Sequence, residues 1–439
     1  MTSPVQAGEL AVVVGAGHSG EGAMRLLAAL GAKVRLLDKN PDNITEKTRV
    51  LARELGVDIL TGDHSAGQFI GAAVVVTSPG IPPAKLEPYL NEAGNPPMIA
   101  EMDLALRFVQ EPIIAVTGTS GKTTTVSLAA AMLQAAGKKV FLGGNIGTPL
   151  SEYVVDKTHD PAAGADALVL EMSSFQLQRT EHLKPRVAVL LNLSPNHLDH
   201  HADMAEYTDA KFRIFAQQDA QDLALVPAEM LDECRKRGVT ARLRSFAASD
   251  RFSGSRLIGR HNTANAEAAF LACHELGVSE EAAARAVCEF APLRHRLEFA
   301  GEADGVTYVN DSKCTTVDAM RVALDSFTSP VLLLAGGKFK GGDLQSLIPL
   351  LREKVRAVAL FGASREIFEA AWQGLVPLSW DSALPGAVAR LQKQARPGEV
   401  ILLSPATASY DAYNNYQERG DHFCALAADA VKKSGGQDR

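Results

Sequence analysis

The chain has 439 residues, of which 46% are hydrophobic and 22% charged, with a formal net charge of −7. This is the balance of globular domains that bury their own cores, and the length sets an expectation of two to four of them. There is no basic run to make a nucleic-acid footprint, and no stretch nears the roughly 20 apolar residues of a membrane span.

The N-terminus, Met1-Thr2-Ser3-Pro4-Val5-Gln6, lacks the charged and apolar regions of a signal peptide. Cys234, Cys273, Cys288, Cys314 and Cys424 are scattered with no CxxC pair. A reduced cytoplasmic protein is expected, rather than a disulfide framework or a zinc site.

The first unit opens with a buried strand that runs from Glu9 into Gly15-Ala16-Gly17-His18-Ser19-Gly20 and then into a helix over Gly22–Leu30. A second strand, Lys33–Leu37, ends at Asp38. Taken alone, this is the dinucleotide fingerprint with Asp38 placed for a ribose hydroxyl, and the same geometry cradles other nucleotide diphosphates. A third strand, Ala72–Val76, ends in Thr77-Ser78-Pro79-Gly80, at the edge where open α/β sheets bind ligands.

Pro96-Pro97 and Glu111-Pro112 bracket a helix over Glu101–Val109 that leads into the second unit. There the apolar run Ile113–Val116 breaks into Thr117-Gly118-Thr119-Ser120-Gly121-Lys122-Thr123-Thr124 and continues as a helix. Strand, glycine loop, lysine, hydroxyl and helix together form a phosphate-binding arrangement. Loop amides face phosphate oxygens, Lys122 reaches the outer phosphates, and Thr123 offers a hydroxyl to Mg²⁺. The general pattern places its first glycine where Val116 stands, whereas this chain has it at Gly118.

Strands over Lys139–Leu142, Ala167–Leu170 and Val187–Asn192 follow, the first ending in a glycine turn through Asn145. Their C-terminal ends share one edge, where Glu171 is a carboxylate suited to Mg²⁺. His197, His200 and His201 fit either a transition-metal site or one functional imidazole beside two solvated histidines. We adopt the second reading, because no cysteine or further histidine accompanies them. A helix over Ala205–Ala216 carries Lys211, and a lone helical lysine is ordinarily solvated. In the helix that starts near Arg260, Asn262 and Asn265 share a face, where they either read a base edge or cap the helix. Leu293–Glu298 is a polar joint.

The third unit alternates again. Strands over Val306–Asn310, Val331–Leu334, Val358–Phe361 and Val400–Leu403 lead into polar loops, a parallel layer with its own ligand edge. The tail Lys432–Arg439 is expected to fray.

Several motifs, in order along the whole chain, resemble the Mur ligases of peptidoglycan synthesis. They are Gly118 to Thr124, Gly144-Asn145-Ile146-Gly147, Glu171-x-Ser173-Ser174-Phe175-Gln176, His261-Asn262-x-x-Asn265, His295-Arg296-x-Glu298, Asn310-Asp311-Ser312-Lys313 and Leu403-Ser404-Pro405-Ala406. Within the family, Ser409-Tyr410-Asp411 and the run Asn415–Phe423 are similar to the members that add D-glutamate.

The resemblance implies an α/β protein of three domains: a Rossmann-like UDP-binding domain over 1–100, a central P-loop ATPase domain over 101–295, and a Rossmann-like amino-acid- and ATP-binding domain over 296–439. It replaces the dinucleotide reading. His18, Ser19, Asp38, Lys39, Ser78, Gly80, Asn145 and Ser173 are implied for the UDP-linked substrate. Gly118, Thr119, Ser120, Gly121, Lys122, Thr123, Thr124, Asn262, Asn265, Arg296, Asp311 and Lys313 are implied for ATP. Thr123, Glu171, His197 and Lys211 are implied for Mg²⁺, with Lys211 carbamylated and with Lys122, His197 and Lys211 serving catalysis. Lys340, Ser409 and Tyr416 are implied for the incoming glutamate. The partners implied are UDP-N-acetylmuramoyl-L-alanine, D-glutamate and ATP, acted on by a cytoplasmic monomer with no nucleic acid or membrane involved. Asn196, His200, Thr316 and Tyr416 stand where the family more often has aspartate, arginine, asparagine and phenylalanine.

Overall fold

The computed structural model describes residues 3–78, 80–194, 201–252, 255, 257–291 and 293–435. Its backbone divides into two compact units, one of Met1–Phe252 with Asn265–Val287 and one of Ser253–Ala264 with Cys288–Arg439.

The first unit holds two parallel sheets. One has five strands: β1 (Leu10–Val14), β2 (Lys33–Asp38), β3 (Asp58–Thr61), β4 (Ala72–Thr77) and β5 (Met98–Ala100), in the order β3-β2-β1-β4-β5. The chain winds to one side of β1 and then returns to the other, so the strand order reverses between β1 and β4, the usual place for a ligand crevice. The central strands read as continuous apolar runs because helices cover both faces.

The other sheet has six strands: β6 (Ile113–Thr117), β7 (Val140–Gly144), β8 (Ala167–Glu171), β9 (Val187–Leu190), β10 (Leu223–Pro227) and β11 (Arg242–Phe246), in the order β11-β10-β9-β6-β8-β7. β6 sits between β8 and β9, so the loops that follow these three strands meet at one edge. One hydrophobic cluster runs from Val13 of the first sheet and Leu27 of the helix that follows β1 to Ala115, Leu170 and Val226 of the second sheet. The two sheets therefore share a core.

The second unit contains β12 (Glu298–Ala303), β13 (Val306–Asn310), β14 (Val331–Gly336), β15 (Val355–Phe361), β16 (Leu378–Asp381) and β17 (Val400–Leu403), in the order β12-β13-β17-β14-β15-β16. β12 runs antiparallel to β13, and the other neighbours are parallel. Separate apolar clusters pack its two faces, one around Leu333 and Trp372 and the other around Leu334 and Phe423.

The closing helix, Tyr416–Ser434, is N-capped by Asn415, whose side chain accepts from the Glu418 amide, and stops at Gly435 with φ 69°. It corrects the expectation of a frayed tail: Lys432 and Lys433 are helical, and residues 436–439 lie outside the described part. Among the described residues no helix is long and apolar enough to cross a membrane.

Candidate active site

The loop after β6 gathers most of the site. Thr117 ends the strand and its hydroxyl donates to the Met172 carbonyl at 2.8 Å. The chain then turns through Gly118, at φ 151°, and Gly121, at φ 85°. The second turn needs glycine twice over. A side chain disfavours that φ, and a Cβ there would come 2.7 Å from Asn265 Oδ1. Asn265 is thereby brought against the loop. The loop is braced from just beyond β9, where Asn192 Oδ1 accepts from the Ser120 amide at 2.9 Å and Asn192 Nδ2 donates to the Ser120 carbonyl at 3.1 Å. Thr119 Oγ1 lies 3.1 Å from the Tyr207 hydroxyl and accepts from the Ser194 amide at 3.0 Å. The helix Lys122–Ala135 begins at once, with no side-chain cap on Gly121.

Two lysines converge on this loop. Lys122 Nζ donates to the carbonyls of Gly118 at 2.8 Å and Thr119 at 3.0 Å. Lys211 Nζ donates to the same Gly118 carbonyl at 2.9 Å and lies 4.7 Å above the Tyr207 ring. Lys211 is only 2% exposed. Burial, and then the nearby Lys122 charge, push its pKa down to about 6, against a smaller opposing pull from Glu171. Its amine is therefore mostly neutral near pH 7. The expectation that a lone helical lysine is solvated fails here. The stripe that turns Tyr207, Ala210 and Lys211 of the helix Met204–Phe212 inward was a signal available in the spacing.

Glu171 ends β8 and is buried. Its Oε1 accepts from Asn145 Nδ2 at 3.0 Å, and its Oε2 is sealed with no hydrogen-bond partner. A buried carboxylate oxygen left open beside Lys122 and Lys211 fits a hard cation such as Mg²⁺, which takes oxygen ligands. Thr123 stands at the helix start, where a hydroxyl can join it. His197 lies outside the described residues, as do Asn196 and His200.

His201 is a correction. It is 1% exposed, stacks on Phe175 with ring centroids 5.7 Å apart, and has Nε2 3.0 Å from Ser174 Oγ. It is a packed core imidazole, and among the described residues no group of histidine, cysteine and acidic side chains is arranged to hold a metal. Ser173 caps the one-turn helix Ser174–Leu177, its hydroxyl and the Gln176 side chain closing a capping box.

A cavity of about 650 Å³ opens at the first sheet's switch point, and His18, Ser19, Asp38, Lys39, Ser78 and Gly80 line it. Asn145 and Ser173 are not among its lining residues. Asp38 is buried and fully engaged. Its Oδ2 accepts from the Ala16 amide at 2.8 Å, and its Oδ1 from the Asn40 amide at 2.9 Å and Asn43 Nδ2 at 3.0 Å. Its role in this structure is to shape the glycine loop. Gly20 is equally constrained, since a Cβ there would run into the Gly15 carbonyl oxygen. Lys39 is exposed and paired with Asp63 at 2.9 Å.

In the second unit the loops after β13, β14 and β17 lie side by side. Asp311 Oδ2 accepts from Ser404 Oγ at 2.9 Å and Oδ1 from the Leu297 amide at 3.3 Å, while burial pushes its pKa up to about 7. The charge of Arg296 pulls the other way. Lys313 Nζ lies 5.4 Å above the Tyr416 ring. The Lys338 amide donates to the Ala408 carbonyl at 2.9 Å, and Lys340 Nζ lies 5.6 Å above the Tyr410 ring. Arg419 is fully buried and bonds Ser312 Oγ and O at 3.0 and 2.8 Å and Thr407 O and Oγ1 at 3.1 and 3.4 Å. Asn262 Nδ2 donates to the Ile258 carbonyl at 2.8 Å, and the residue sits inside the helix Arg260–Glu275 rather than at the position before its start.

Family models match the chain in three places: a Mur ligase MurD-like N-terminal domain over 9–96, a Mur ligase middle domain over 116–253 and a Mur ligase glutamate ligase domain over 295–407. The chain is 58% identical over 421 residues to the UDP-N-acetylmuramoylalanine–D-glutamate ligase of Oleidesulfovibrio alaskensis, covering 96% of this chain and 94% of that one. It is 57% identical over 425 residues to the enzyme of the same name from Nitratidesulfovibrio vulgaris, covering 97% of each. In fold it is similar to the MurF ligase of Thermotoga maritima solved with ADP, at TM-score 0.60 and 16% identity over 98% of this chain and 96% of that one. The UDP-N-acetylmuramate–alanine ligase of the same organism aligns at TM-score 0.53 and 19% identity over 97% and 100%.

Proposed function

The chain belongs to the Mur ligase family, and from that premise we propose how its residues divide the work of one ligation. The reaction is the ATP-dependent joining of D-glutamate to UDP-N-acetylmuramoyl-L-alanine through an acyl phosphate, a step of peptidoglycan precursor synthesis. Members of the family depend on ATP and Mg²⁺.

We assign residues 1–100 to the UDP moiety, 101–295 to ATP and the phosphoryl transfer, and 296–439 to ATP and the amino acid. His18, Ser19, Lys39, Ser78 and Gly80 hold the UDP-linked substrate on a loop shaped by Asp38, and Asn145 and Ser173 serve its far end. Gly118 to Thr124 wrap the ATP phosphates, with Asn262, Asn265, Arg296, Asp311 and Lys313 as further ATP residues.

A carboxylate is a poor acyl donor. An oxygen of the L-alanine carboxylate attacks the γ-phosphorus and ADP leaves. Lys122 turns from the loop carbonyls to the transferring phosphoryl and offsets its charge. The neutral amine of D-glutamate then attacks the acyl carbon, the C–O bond to phosphate breaks, and the proton lost by the nitrogen leaves with the phosphate as hydrogen phosphate. Thr123, Glu171, His197 and Lys211 would hold Mg²⁺, which supplies positive charge at the phosphates. Lys211 meets the requirement for carbamylation, because only a neutral amine adds CO₂, and the product is an anion able to face a cation. Lys340, Ser409 and Tyr416 hold the glutamate, the lysine offering a cation and the serine a hydroxyl to its carboxylates. The enzyme acts as a monomer in the cytoplasm, where ATP and nucleotide-linked precursors are available.

The observation that carries this reading is the pair of amines on the Gly118 carbonyl beside the open Glu171 oxygen. Its test is phosphate release with UDP-N-acetylmuramoyl-L-alanine and amino acids of both hands. D-Glutamate should be the acceptor that stimulates release. Faster release with L-glutamate, alanine or a diamino acid overturns the acceptor assignment.

A further inference from the structure

Arg179 lies just beyond the one-turn helix Ser174–Leu177 of the second sheet and reaches across to the first, where its Nη1 donates to Thr77 Oγ1 at 3.2 Å. Thr77 is the last residue of β4, and the next residue, Ser78, lines the cavity. The guanidinium is half-buried, and burial alone lowers its pKa from the ordinary value, with no carboxylate acting against the shift. Arg179 differs in this from Arg107, paired with Asp103 at 3.6 Å, Arg186, paired with Glu275 at 2.8 Å, and Arg356, paired with Glu399 at 2.5 Å, and resembles Arg35, whose Nη1 donates to the Gln68 carbonyl at 2.7 Å.

A guanidinium has five N–H donors, and among the described residues Arg179 makes one hydrogen bond. None of its nitrogens is a sealed atom left unsatisfied, so the remaining donors have access to solvent, and Arg179 itself stands behind Ser78 rather than among the lining residues of the cavity. A partly desolvated cation fixed at one point and lacking a counter-ion is poised for an anionic ligand, and the planar fork matches phosphate.

Two carboxylates, Asp38 and Asp63, line the cavity with the cations Lys39 and Lys85, and Asp63 already holds Lys39. We propose that Arg179 is a diphosphate-binding residue for the UDP-linked substrate, supplied across the shared core from the second sheet to the cavity of the first. The proposal rests on the reading of that cavity as the UDP site.

The test is titration of the full-length protein with UDP and with uridine, using the wild type, Arg179→Gln and Arg179→Lys, with thermal melting as the control for folding. The wild type should bind UDP more tightly than uridine. Arg179→Gln should lose about tenfold or more on UDP, the scale of a lost charge-assisted hydrogen bond, and stay within about twofold on uridine. Arg179→Lys should recover part of the loss. Thr77→Val, which keeps the cation but removes its anchor, should show a smaller loss confined to UDP. The KM for UDP-N-acetylmuramoyl-L-alanine should rise with that for ATP unchanged. Equal UDP binding by wild type and Arg179→Gln overturns the proposal and leaves the cavity reading standing. Equal losses on UDP and uridine also overturn it, since they mark a structural role. A wild type that binds neither ligand removes the cavity reading and the proposal with it.

Discussion

The glycine loops after β1 and β6 follow one local plan. Each leaves a buried parallel strand and enters a helix whose N-cap, Gly17 or Gly121, provides no side-chain cap. They differ in what the protein sets against them. The first loop gives its Ala16 amide to the carboxylate of Asp38. The second gives its Ser120 amide to the neutral Asn192 and its Gly118 carbonyl to two lysines. A loop whose donor is met by an internal anion is shaped before any ligand arrives and adds little attraction for one. A loop that parks Lys122 on its carbonyls keeps a cation ready to turn toward a phosphate. In the reading proposed above, one motif geometry serves a recognition site and a reaction site, and the difference lies in the charged side chains set against each loop.

The sharpest way to break this contrast is Lys122→Ala. Turnover at saturating ATP should fall by on the order of a hundredfold or more, while UDP affinity and melting temperature hold. Near-normal phosphate release would remove the charge-donating role from the second loop.

Lys211→Ala should be similarly inactive and partly rescued by acetate or formate, small anions that replace a carbamate. Full activity without them, in a protein whose wild-type Lys211 shows no carbamate mass, would leave Lys211 a buried packing residue.

Asp38→Ala tests the other loop. It strips an acceptor from the Ala16 and Asn40 amides, at a stability loss of about 1–3 kcal/mol. UDP affinity should drop with the KM for ATP unmoved. If ATP is affected equally, the two loops are not independent.

The last test is in pH. Unfolded, Lys211 titrates near 10.5, and folded, near 6. Between those values the unfolded chain holds more protons, so stability rises with pH by up to about 1.4 kcal/mol per unit. As pH falls toward 6 that gain is lost. Denaturant melts in CO₂-free buffer from pH 6 to 8 should show the slope, and Lys211→Met should flatten it.

What the sequence made legible was governed by burial on both faces. β1, β4, β6, β8 and β17 are unbroken apolar runs ending in glycine or polar loops, and they stand close to where their pattern puts them. Most of the strands left unread are edges: β3, β5, β11, β12 and β16 are short or partly exposed, so neither a continuous run nor a clean alternation marks them. β10 is interior and went unread too, although Leu223–Val226 is apolar.

At the site, the loop lysine was legible because its neighbours in sequence are its neighbours in space. His201 was not, and Lys211 only through the helical spacing it shares with Tyr207 and Ala210, because the atoms that desolvate them are remote in sequence, Ser174 and Phe175 for one and Thr117 and Gly118 for the other. Arg179 escaped for the same reason, its partner Thr77 belonging to another sheet.

The buried guanidinium of Arg419 has a consequence for how the second unit gains order. It fastens Ser312, inside the Asn310–Lys313 loop, to Thr407, inside the loop leading to Ser409. Loosening either loop alone would leave a buried cation short of half its acceptors. The two segments therefore share one entropy of ordering, and whichever ligand arrives first and stills one of them leaves less freedom for the second ligand to remove.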